Sequence, residues 1–204
     1  MSSSLSVFLL DPLATRALVG SGDEELLRRL TEHFGRDLAE SDDWFSHEIG
    51  NGAPTAADAL RAVVHGGPYA EERDYAFQYG YAYMRLCRST GRFLNNSNFS
   101  PFRGAWLDAV DEGLKALGVT EVSVAEFGYG FGLPAGVPRG YDYPGGGEWT
   151  NRACLAALAQ FEQAEREGRA PELEPDVADA VSDVIGWLRQ VEQRPGFGVI
   201  GFVS

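Results

Sequence analysis

Tyr75, Tyr79 and Tyr83 recur at every fourth position, Tyr81 lies among them, and a run of amides follows at Asn95, Asn96 and Asn98. Phenols and carboxamides both donate and accept hydrogen bonds, so such a run can line a polar pocket in otherwise apolar surroundings. The candidate ligand set is Tyr79, Tyr83, Asn95, Asn98 and Arg103, with His65 as a possible general acid or base. A purely structural use is the commoner one. Aromatics at helical spacing usually belong to a core, buried tyrosine hydroxyls bond to loop backbone, and asparagines serve turns.

A second set is acidic. Asp37, Glu40, Asp42, Asp43 and Glu48 surround Trp44, Phe45 and His47. Of these, Asp37, Asp42, Asp43 and Glu48 are the candidate contacts for a basic protein partner, because clustered carboxylates steer positive surfaces. His47 with these acids lacks the fixed ligand spacing of a metal centre, so no metal is expected. The commoner arrangement is a solvated acidic turn around a packed Trp–Phe pair.

Other motifs fail on context. Gly196–Gly201 matches G-x-G-x-x-G, but a dinucleotide fingerprint must open a helix, and three residues remain. Gly145-Gly146-Gly147 has no accompanying lysine and is read as a helix-start turn. No G-x-S-x-G elbow is present, and no cofactor is called for.

The elements that position these groups follow from spacing. Asp74 to Ser89 reads as a central helix, apolar on nearly all sides and therefore buried. Gly80 within it costs roughly 1 kcal/mol against alanine, which implies a close crossing with another part of the chain. Leu5–Leu10 reads as a first strand, followed by a helix from Pro12 to Val19, a second from Asp23 to Phe34 and a third from Thr55 to His65. Downstream come a helix from about Gly104 to Leu117 and a second strand, Val119–Phe127. A long glycine- and proline-rich segment, 128–147, follows, with Tyr129, Phe131, Tyr141 and Tyr143 to pack it. Helices from Trp149 to Glu167 and from Val177 to Val191, then a last strand from Phe197 to Val203, complete the chain.

The totals fit these elements. The 204 residues, 44% hydrophobic and with net charge −13, suit one globular domain over 1–204. One lysine, Lys115, among 17 basic residues argues against nucleic acid as a partner. No apolar run reaches the ~20 residues of a membrane span, and the N-terminus lacks a basic signal-peptide region, so a cytoplasmic protein without membrane contact is expected. Cys87 and Cys154 fall inside helices and read as free, buried thiols.

At SVFLLDPLATRALVGSGDEELL, FQYGYAYMRLC, NSNFSPFRGAWLDAVDEGLKALG and RPGFGVIGF the chain resembles an uncharacterised actinobacterial family along nearly its full length. Through its opening strand, its short helices and the helix Leu60–Gly67 it is also similar to the YfbM-like family. Both resemblances imply a bacterial cytoplasmic protein and bring no catalytic residue.

The expected fold is α+β: a mostly helical domain around a small sheet that includes both terminal strands. Two functions stand. One is a protein-binding module, immunity- or antitoxin-like, holding a basic protein on its acidic face. The other is a small-molecule-binding protein or enzyme with a Tyr/Asn/Arg-lined pocket around residues 79–106.

Overall fold

The computed structural model describes residues 2–129, 133–140, 144–169 and 171–204. The fold is α+β, with a four-stranded antiparallel sheet that contains both terminal strands, in the order β2-β1-β4-β3. The chain divides into two compact units, residues 1–12, 91–132 and 145–204 forming one and residues 13–90 and 133–144 the other.

The first unit carries the sheet: β1 (Leu5–Leu10), β2 (Arg92–Phe93), β3 (Gly145–Trp149) and β4 (Gly198–Val203). β4 pairs with β1 from Leu5↔Val203 to Leu10↔Gly198, and with β3 from Gly145↔Val203 to Trp149↔Val199. Leu5, Val7 and Leu9 of β1 join Val199 and Val203 of β4 in a core with three helices of this unit. These are α7 (Trp106–Ala116), α9 (Asn151–Arg166) and α10 (Pro175–Glu192). On the last of them Val181, Val184, Ile185, Leu188 and Val191 are buried, and Val177 is partly so.

Two expectations in this unit are corrected. Val119–Phe127 is not a strand; its end enters the short helix α8 (Glu126–Tyr129). Backbone donors in it are taken by side chains instead of a neighbouring strand, Thr120 N and Glu121 N by Gln160 Oε1. The buried Asp111 carboxylate accepts from Val124 N at 2.7 Å, Ala125 N at 3.2 Å and the Ser123 hydroxyl. Gly145-Gly146-Gly147 opens no helix; it is β3, and α9 begins only after Thr150, whose hydroxyl accepts from Ala153 N. The glycines are needed for close approach. Gly147 faces Gly201 across the ladder, and a Cβ on Gly201 would stand 2.5 Å from the Phe127 ring, so the ring lies directly on bare backbone.

The second unit is helical. After α1 (Pro12–Arg16) come α2 (Glu24–His33), capped by Asp23, α3 (Gly35–Trp44), α4 (Ser46–Gly50), α5 (Ala56–His65), capped by Thr55, and α6 (Phe77–Thr90). The acidic stretch read as a turn is therefore two helices, α3 and α4. α6, the expected central helix, packs mainly on α5, and most of its residues from Gln78 to Cys87 are buried. The close approach at Gly80 is to Pro144, whose ring would stand 2.9 Å from an added Cβ. Phe131, Tyr141, Tyr143 and the side chain of Tyr129, expected to pack the segment 128–147, lie outside the described residues.

Candidate functional site

The candidate ligand residues fall three to each unit: Asn95, Asn98 and Arg103 in the sheet unit, His65, Tyr79 and Tyr83 in the helical unit. In the sheet unit the amides are held from within. Asn95 Nδ2 donates to Asp183 at 2.6 Å and Asn98 Nδ2 to the other oxygen of that carboxylate at 2.7 Å. The loop's carbonyls are engaged as well. Trp187 donates its indole N–H to Asn95 O at 2.7 Å, Trp106 to Asn98 O at 2.8 Å, and Asn96 Nδ2 reaches Leu5 O on β1 at 2.6 Å. One polar loop thus ties β1, α7 and α10 together. Arg103, just beyond it, is exposed.

In the helical unit Tyr79 is buried, its hydroxyl accepts from Ala70 N at 2.7 Å, and its ring meets Tyr69 edge-on at 4.9 Å. Tyr75 donates to Asn51 O. These two hydroxyls therefore bond to backbone groups near α4 and α5, not to the asparagines that follow α6. Tyr83 is fully buried. His65, in the last turn of α5, places Nε2 3.1 Å from Glu24.

The four candidate acids divide evenly. Asp37 is held inward, accepting from Arg85 Nε at 2.7 Å and Arg88 Nη1 at 3.2 Å; the Arg85 side chain is only 6% exposed. Asp42 accepts from Ala56 N at 2.7 Å, which fastens α3 to the start of α5. Asp43 is exposed and Glu48 half-buried, and neither meets a cation among the described residues.

Trp44 departs from its reading as half of a packed pair. Phe45 does pack, its ring 4.7 Å from Phe77 and 5.6 Å from Tyr81, but Trp44 is 81% exposed. Aromatic character alone could not separate these neighbours. The helical register does, because only one of two adjacent residues can face α6.

A signal missed altogether lies on α6. Gln78 is fully buried, and neither its amide oxygen nor its nitrogen has a hydrogen-bond partner among the described residues; nor, among them, has Arg85 Nη1, two turns further along the same face. The residue types were visible, but the apolar spacing around them gave no hint that the face is polar.

Cys87 and Cys154 are buried and form no disulfide, and burial pushes the Cys154 thiol up to about 12. Among the described residues no cluster of three or more His, Cys, Asp or Glu could hold a metal ion, and no helix is long and apolar enough to cross a membrane.

Over residues 1–204 the chain matches the family described as Domain of unknown function (DUF7691), and it belongs to that family. No curated protein and no solved structure matches it.

Proposed function

For this member of the DUF7691 family we propose a protein-binding role, immunity- or antitoxin-like, in which the acidic face of α3 and α4 holds a basic protein. One observation carries the reading: of the four candidate acids, Asp37 and Asp42 are used to build the helical unit, while Asp43 and Glu48 have no cation beside them among the described residues. Carboxylates left uncompensated on a chain of net charge −13 favour a positive partner and would repel phosphate. A pull-down with tagged protein at low and high salt tests this, with the Asp43→Asn/Glu48→Gln variant alongside. A basic partner held by the wild type at low salt, released at high salt and missed by the variant supports the proposal. Equal recovery by the variant defeats it.

A second reading, small-molecule binding within the helical unit, has its own support in Gln78 and Arg85. Gln78 Oε1, Gln78 Nε2 and Arg85 Nη1, without a partner among the described residues, could be satisfied by a small molecule bearing both an acceptor and a donor. Of the candidate ligand residues, His65, Tyr79 and Tyr83 belong to this unit. Asn95, Asn98 and Arg103 belong to the other, where Asp183 already engages the two amides. Thermal-shift screening of wild type against Gln78→Leu tests it; a ligand that stabilises only the wild type would favour this reading.

A further inference from the structure

We infer that the buried face of α6 carrying Gln78 and Arg85 is a binding site for a small 2-hydroxy acid, a monocarboxylate with a hydroxyl on the neighbouring carbon. This rests on the second reading above and adds the chemical class of the ligand.

α6 runs unbroken from Phe77 to Thr90. Gln78 and Arg85, seven residues apart, therefore share one face, with their Cα atoms about 10 Å from each other. Ala82 lies between them on that face, fully buried and ending in a methyl group. α3 covers the neighbouring stripe: Phe45, just past its end, meets Phe77 and Tyr81, and Asp37 meets Arg85 and Arg88. Gln78 is fully buried and Arg85 nearly so, yet three of their polar atoms have no hydrogen-bond partner among the described residues: Gln78 Oε1, Gln78 Nε2 and Arg85 Nη1. Buried amides and guanidinium groups are costly to leave unbonded, and folded chains rarely carry two such groups on one helix face.

Charge selects the ligand. Arg85 Nε and Arg88 Nη1 share the single carboxylate of Asp37, at 2.7 and 3.2 Å, which leaves one positive charge over. Asp42, the other inward acid of α3, is bonded to Ala56 N at the start of α5. One ligand carboxylate would cancel the surplus and accept from Arg85 Nη1 and Gln78 Nε2, the charge-assisted bonding that a guanidinium favours. Gln78 Oε1 still needs a donor, which a hydroxyl beside the carboxylate supplies. An amino acid brings its own positive charge and leaves the surplus standing. Access is through α3. Leu38 is its one buried residue and α4 has none, so this segment can lift from α6 at small cost in apolar area.

The test is ligand-observed NMR titration of the full chain at constant ionic strength. Glycolate is compared with acetate, which lacks the hydroxyl, with glycolamide, which lacks the charge, and with glycine, which is a zwitterion. Glycolate is expected to bind about 5-fold tighter than acetate, for the one hydrogen bond lost, and glycolamide and glycine more weakly than acetate. Gln78→Leu, with its melting temperature checked, should weaken glycolate about 10-fold and remove its advantage over acetate. Gln78→Met takes its place if the leucine variant does not fold. The inference is overturned if acetate or glycine binds as well as glycolate, if the folded variant binds glycolate unchanged, or if none of the four binds. Tighter binding of glycolamide than of glycolate overturns the carboxylate assignment and leaves the small-molecule reading standing. That reading falls by itself only when the wider thermal-shift screen finds no ligand that prefers the wild type over Gln78→Leu.

Discussion

The loop Asn95–Asn98 and the segment Asp37–Glu48 are both dense in polar side chains, and residue type alone marks both as sites. They use that polarity in opposite directions. The asparagine loop turns inward: its amides meet Asp183 and Leu5 O, and its carbonyls take two tryptophan N–H groups. The acidic segment turns half its candidate carboxylates inward and leaves Asp43 and Glu48 without a cation among the described residues. What separates a brace from a candidate binding surface here is whether the polar atoms already have protein partners. Residue type does not.

Substitutions sharpen this contrast. Asp37→Ala should have the largest effect, because it strips the nearly buried Arg85 guanidinium of its partner. Allowing for the partial exposure of Asp37, a loss of about 2–3 kcal/mol in urea unfolding is expected. A loss below half of that would mean Arg85 finds another acceptor.

Asp183→Ala unties Asn95 and Asn98 together and should lower stability by about 1–2 kcal/mol. Calorimetry would read this as a lower melting temperature; an unchanged one would make the loop a surface instead of a brace.

Gln78→Leu should raise stability by about 1 kcal/mol, since it replaces a buried amide that has no partner among the described residues with an apolar side chain of similar size. A drop would show that the amide has a partner in solution and would strengthen the small-molecule reading. Asp43→Asn comes last, with stability changed by less than about 0.5 kcal/mol while salt-sensitive capture of a basic partner weakens. A large stability change there would place Asp43 among the structural acids.

Much of the fold was legible because its signals are local. Asp23 and Thr55 announce helix starts, and the valine and leucine stripe of α10 faces the core as its spacing requires. β3 was illegible because GGGEW contains no β-branched residue; its strand character comes from Gly201 and Phe127, far away in sequence. Val119–Phe127 misled for the reverse reason. It alternates like a strand, yet the Gln160 and Asp111 side chains take backbone donors that a neighbouring strand would have used. At the candidate sites, residue types were readable but partners were not. Nothing in the spacing of Asn95 and Asn98 points to Asp183, and nothing in Trp44-Phe45 says which ring faces outward.

The pairing of β4 with both β1 and β3 also sets the order in which the sheet can be made. β1 spans Leu5–Leu10, yet its long partner is Gly198–Val203, and β3 has no other strand to join among the described residues. During synthesis the helices can form as they emerge, but the centre of the sheet must wait until Gly198–Val203 has been added. Such distant pairing slows folding and leaves apolar strand edges uncovered meanwhile. A chain stopped before Gly198 would retain every helix-forming segment and still lack the strand that closes its sheet.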